Sequence, residues 1–232
     1  MDREFELLKR IKADNGEDFN DTPTRLSDNE LDGYLKEIII NFSTLCYDKN
    51  QNRNIDEETN IIVNNIYLLI DILVKMGVHP GFIIVALTEY NRKKVKYNDR
   101  IAYNNGRKKT NGVFFPYNDV RKELKLMNDF NYQGYDTSLS NCYDDILSMD
   151  KEFSLSYSAN PTKLSYERKQ AYFISITNQR NQIANADDII DESIYLVDLI
   201  YTSLCMLVEM GVNPDKLLIN RIEEERKKGK HI

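Results

Sequence analysis

Apolar residues recur at helical spacing along most of the chain, broken by short polar gaps. Leu31, Leu35, Ile38, Ile39 and Phe42 follow the three-to-four-residue period of one helix face, and Ser27 with Glu30 has the spacing of a capping box at its start. Residues 48–54 are polar and turn-rich. A long helix is then predicted over about 56–76, with Gly77 placed to cap it, and Pro80-Gly81 lead into another over about 82–94. The same order returns later. Ser165 opens a helix with Tyr172, Phe173 and Ile176 on one face, residues 185–188 loosen the chain, a helix over about 188–210 stops at Gly211, and a last one runs from Pro214 into a charged end. Between them, residues 97–119 are irregular, with Asn104-Asn105-Gly106 and Asn111-Gly112 as turn signals and Phe114-Phe115-Pro116 as an apolar anchor; helical spacing resumes over 120–127. The pattern predicts an all-α protein of paired antiparallel helices.

The two series are copies of one unit. The fifteen residues from Ile66 to Pro80 return 134 positions later, from Ile200 to Pro214, with eight identities. Pro23-Thr24-Arg25-Leu26-Ser27 returns as Pro161-Thr162-Lys163-Leu164-Ser165 at an offset of 138. A period this long implies two fused units rather than a solenoid of short repeats. We place them at 1–130, with an arm at about 95–119, and at 131–232.

Composition narrows the class. With 41% hydrophobic and 29% charged residues, the chain reads as soluble and globular, no apolar run is expected to reach the roughly 20 residues of a membrane helix, and the start has no leader pattern. Cys46, Cys142 and Cys205 have no metal-type spacing, and Cys205 within an apolar helix reads as a buried thiol, which fits a reducing cytoplasm. A net charge of −6 argues against a dedicated nucleic-acid binder.

The landmarks Pro23 to Leu31, Tyr67 and the Met76-Gly77-Val78 stop resemble the all-α nucleotide pyrophosphohydrolases. These comprise MazG, the phosphoribosyl-ATP pyrophosphohydrolases and the dimeric dUTPase relatives, and the phosphoribosyl-ATP pyrophosphohydrolase-like, Cof-like branch is nearest. The second copy shows the likeness in Met149 to Phe153, Pro161 to Ser165 and Val197 to Tyr201, and Asn91 to Lys94 followed by Gly112 to Pro116 resembles the family's Asn-and-Lys segment and arm. The resemblance implies two MazG-like helical units packed as a pseudo-twofold bundle, reproducing in one chain a dimer its relatives build from two. It also implies a site in which carboxylates from two successive helices hold Mg²⁺ against the phosphates.

Position by position, that set of acids is depleted. Asn178, Gln179 and Gln182 fall on the first three acidic positions of the second copy, followed by Tyr195 and Asp198. In the first copy Ile40, Asn41, Thr44, Ile61 and Asn64 take the five places. Amides keep an oxygen acceptor and add donors but lose the charge, so Mg²⁺ would be held weakly or not at all, while phosphate, ribose or base edges could still be bound. The expected ligand-binding residues are therefore Asn41, Asn64, Tyr67, Asn178, Gln179, Gln182 and Tyr201, with Arg107, Lys108 and Lys109 of the arm to clamp phosphate. Asp198, Glu192 and Glu37 are the metal ligands only if metal is retained, and Asp187, Asp188 and Asp191 otherwise favour a helix start.

Three functions fit the sequence. They are a nucleotide-binding protein with impaired catalysis, an active Mg²⁺-dependent pyrophosphohydrolase converting a nucleoside triphosphate to monophosphate and pyrophosphate, and an interaction module with a vestigial pocket. A nucleotide is the expected partner, with no membrane; self-association is left open.

Overall fold

Gly77 and Gly211 end the two core helices by the same device. Both are left-handed, with φ of 68° and 70°, and each amide, with the one after it, closes onto carbonyls of the preceding turn. The computed structural model describes residues 1–47, 52–105, 120–121, 124 and 136–229, with side chains except at 94–105 and 228–229. Eight bounded helices lie among them: α1 (Asp2–Asn15), α2 (Asp28–Cys46), α3 (Ile55–Met76), α4 (Gly81–Asn105), α5 (Leu139–Glu152), α6 (Tyr166–Ala184), α7 (Ile189–Met210) and α8 (Asp215–Gly229). The protein is all-α, with no strand among the described residues. Contrary to the irregular stretch expected from residue 97, α4 continues as helix to Asn105. The rest of the arm, 106–119, with Arg107, Lys108 and Lys109, and the boundary between 130 and 131 lie outside the described residues, as does most of the helix expected over 120–127, of which Val120, Arg121 and Leu124 are helical.

The segment ahead of each Pro-Thr landmark is a helix that the sequence reading leaves unassigned. In α1 the buried positions are Glu4, Phe5, Leu8, Ile11 and Lys12; in α5 they are Leu139, Cys142, Tyr143, Ile146, Met149 and Asp150. The last five of these match the α1 set one for one at the offset of 138. Asn54 and Glu57 form a reciprocal capping box at the start of α3, at 2.9 and 2.8 Å. At α2 the box is half made: Ser27 accepts from the Glu30 amide at 3.4 Å, while the Glu30 carboxylate turns to Lys75.

α3 and α7 form the centre and pack on each other. Around them α2 packs on α3 and on α6, which packs on α7; α1 packs on α3 and α5 on α7. The last helix of each copy crosses over, so that α4 lies against α5 and α7, and α8 against α1 and α3. Exchanging every helix for its counterpart in the other copy maps this set of pairings onto itself. Contrary to the sequence expectation, α3 and α7 are each long and apolar enough to cross a membrane by length and composition; 78% of each apolar window is buried inside the fold, as befits core helices.

The Pro-Thr landmark recurs because it is strapped onto the glycine stop. The amides of Asn20 and Thr24 donate to the carbonyls of Lys75 and Met76 at 3.2 and 2.9 Å, and those of Ser158 and Thr162 donate to Val208 and Met210 at 3.3 and 2.9 Å. A Cβ on Gly77 would lie 2.5 Å from the Asn20 carbonyl oxygen and 2.9 Å from that of Thr22, whereas Gly16, with φ of 71°, has nothing within 4 Å. Gly16→Ala should therefore cost about 1–2 kcal/mol for left-handed strain alone. Gly77→Ala should cost about 2–4 kcal/mol, because backbone must also shift. Urea unfolding of the pair checks this, and equal costs would contradict the strap.

Candidate functional site

Each core helix carries a stripe of polar residues along one face, besides other buried polar positions. On α3 the stripe is Asn64, Tyr67, Asp71 and Lys75, at steps of three, four and four, so all four share a face. On α7 the counterparts are Asp198, Tyr201, Cys205 and Glu209. Two of the expected residues lie on each stripe, and the rest of the polar seam comes from neighbouring helices.

In the first copy the seam is closed by charge pairs. At its upper end Arg221 of α8 donates from Nε to Asn64 Oδ1 at 3.1 Å, stacks its guanidinium 4.1 Å from the centre of the Tyr67 ring and pairs with Glu225 at 2.6 Å. Lower down, Lys12 of α1 is buried, with Nζ 2.7 Å from Asp71 and 2.8 Å from Glu17, and the Tyr34 hydroxyl donates to the other Asp71 oxygen at 2.6 Å. Burial works against the ammonium, but Asp71 and Glu17 outweigh it and hold its pKa above the ordinary value. Burial, then Asp71, pushes the Tyr34 and Tyr67 phenols well up, so both are neutral donors. Lys75 closes the end, 2.7 Å from Glu30 and over the Tyr34 ring. A surface hollow of about 450 Å³ opens there, lined by Glu17, Asp18, Phe19, Asn20, Glu30 and Lys75 among others.

The second copy keeps the geometry and changes the charges. Arg168 and Glu209 pair at 2.8 and 2.6 Å where the first copy has Glu30 and Lys75, a reversal of both signs at one joint. The Tyr172 hydroxyl, counterpart of Tyr34, donates to Glu209 at 3.0 Å. Gln179 is buried, and its Nε2 donates to Asp198 Oδ2 at 2.6 Å and Thr202 Oγ1 at 2.8 Å, while its Oε1 has no hydrogen-bond partner among the described residues. Its counterpart Asn41 donates to Asn65 Oδ1 at 2.9 Å, which leaves the buried Asn65 Nδ2 without a partner.

The structure thus joins Asn64 with Tyr67 through Arg221, and Gln179 with Asp198. It sets Asn178 and Glu37 on exposed helix faces and leaves Gln182 half-buried. Glu192 is buried and accepts from Arg25 Nε of the other copy at 2.6 Å; burial raises its pKa and Arg25 only partly offsets this. Asp188 caps α7 through the amides of Ile190 and Asp191, and Arg121 holds both Asp188 and Asp191 at 2.6 Å, so these acids serve the helix start. Asp198, Glu192 and Glu37 are not gathered: among the described residues no group of three or more His, Cys, Asp or Glu is placed to hold a metal ion. Cys46 and Cys142 are buried free thiols whose pKa burial pushes up to about 12, while Cys205, expected to be buried, keeps partial exposure.

Sequence reasoning misses Lys12, Asp71, Arg221 and Asp150. Asp71 alone carries a signal, as the single charge within the apolar run from Ile66 to Val74. The chain matches no protein-family model, no curated protein and no solved structure among those compared.

Proposed function

We propose that the chain binds a nucleotide through the polar seam of its first copy and does not hydrolyse it by a metal-dependent route. The observation that carries this reading is the Asn64–Tyr67–Arg221 cluster. It brings an amide, an aromatic ring and a guanidinium with 23% of its side chain exposed together at the joint of α3 and α8. A guanidinium offers a planar fork that suits phosphate as well as carboxylate, so a phosphate can replace Glu225 on Arg221. The amide supplies a donor and an acceptor for a base or ribose edge. Hydrolysis has weaker support, because Asp198 is engaged by Gln179 and Glu192 by Arg25.

The self-consistent exchange of helix pairings supports a pseudo-twofold arrangement of two MazG-like units, with the last helix of each lent to the other. In such an arrangement the Asn64 site combines α3 of one unit with α8 of the other, so the ligand would tie the halves together.

Equilibrium binding of a fluorescent adenosine triphosphate analogue in chelator tests the site. The native chain should bind, and Arg221→Ala should weaken binding at least about tenfold, the effect of losing one charge-assisted pair. Equal affinity in the two proteins would remove the cluster from the account.

A further inference from the structure

The corner where α1 meets the α3 stripe has a counterpart with its cation missing. Lys12 corresponds to Asp150, and the backbone fixes the match: the Glu17 amide donates to the Lys12 carbonyl at 2.9 Å and the Leu155 amide to the Asp150 carbonyl at 2.8 Å. Asp71 corresponds to Cys205, and Glu17 to Leu155. In the first copy an ammonium sits in the corner between two carboxylates; in the second, the lysine stem and its charge are gone and a carboxylate stands in their place.

Asp150 is 7% exposed, and among the described residues its carboxylate has neither a hydrogen bond nor an ion pair. The groups around it do not supply one. On α7, which packs against α5, the groups whose charges act on Asp150 or feel it are Glu209, Cys205 and Tyr201, and the Glu209 charge is already taken by Arg168 and Tyr172 of α6. From α4, Arg92 and Glu89 act on Asp145, more than a turn earlier on α5. A buried carboxylate of this kind is stabilised by a cation placed where the first copy has Lys12.

We propose that the second copy's corner, between Asp150, Glu209 and Cys205, binds the ammonium group of a small alkylamine, with the alkyl chain occupying the path of the absent lysine stem. The site is separate from the Asn64 cluster and takes a ligand of opposite charge. Burial, and after it Glu209, pushes the Asp150 carboxyl up to about 7, so the amine should bind more tightly as pH rises through that value.

Thermal unfolding of the full chain in propylammonium chloride, against sodium chloride at equal ionic strength, tests the proposal. Near pH 8 the amine should raise the unfolding temperature by several degrees, and near pH 5 it should not. The rise should vanish in Asp150→Asn, which keeps the shape and removes the charge. Asp150→Lys, which carries its own ammonium, should unfold at a higher temperature near pH 8 without amine and show no further response. No rise above the sodium control in the native chain, or an equal rise in Asp150→Asn, would overturn the proposal.

Discussion

Replacing Lys169 by methionine is expected to destabilise the fold by about 3–5 kcal/mol, the cost of leaving one charge of a buried pair alone. Lys169 of α6 and Glu58 of α3 form an ion pair between the copies, with side chains 0% and 1% exposed. The pair has little slack. The second Glu58 oxygen has no hydrogen-bond partner among the described residues, and the Lys169 carbonyl is occupied by the Cys46 thiol at 3.1 Å. Removing the ammonium strands Glu58 in a site that water does not reach. Methionine keeps most of the stem, so lost packing contributes less than lost charge. The double variant Glu58→Gln with Lys169→Met should recover most of the loss, since replacing both charges of a buried pair is often close to neutral. Urea unfolding of the three variants would show it. A single variant within 1 kcal/mol of the native chain would mean the pair is hydrated and does not lock the copies together.

The second large effect is on stability against pH. Asp150 has an ordinary carboxyl pKa of 3.8 that burial, then Glu209, raises to about 7 in the fold. Between those values the folded chain holds a proton that the unfolded chain has lost, so stability falls as pH rises through the interval. The contribution is fully present below about pH 4, is lost by about pH 7, and amounts to something on the order of 4 kcal/mol. Asp150→Asn should remove this dependence and leave the protein more stable than the native chain near pH 8. Lys12 of the first copy acts at the opposite end of the scale. Its raised pKa gives stability present below the ordinary lysine value and lost only as pH rises through the higher folded one. A native chain as stable at pH 8 as at pH 5, with Asp150→Asn unchanged, would contradict the first assignment.

Much of the fold is legible locally. The glycine stops at Gly77 and Gly211, the Pro-Thr landmarks and the long apolar runs each depend on residues close in sequence, and each has its counterpart in the structure. The helices α1 and α5 carried the same kind of signal in Phe5, Leu8 and Ile11 and in Tyr143, Ile146 and Met149, but they precede the landmarks that organise the repeat. The crossover of α4 and α8 was not legible, because helical periodicity shows that a face is buried and not which copy covers it. The site shows the same division. Asn64, Tyr67, Asp198 and Tyr201 lie on the core stripes, whereas Lys12 and Arg221 reach the first stripe from opposite ends of the chain. Their pairing is a product of tertiary packing. The sign reversal from Glu30–Lys75 to Arg168–Glu209 is visible once the copies are aligned, and it marks a contact that the duplication kept while its charges exchanged.

Thermal unfolding against a panel of linear and cyclic nucleotides, each with Mg²⁺ and with chelator, tests the central claim most directly. A ligand at a hundred times its dissociation constant stabilises the native state by about 2.7 kcal/mol, so binding would be plain. The account predicts a rise in unfolding temperature with at least one nucleotide in chelator, and recovery of that nucleotide intact. A rise only with Mg²⁺ and release of pyrophosphate, or no rise with any nucleotide, would contradict it.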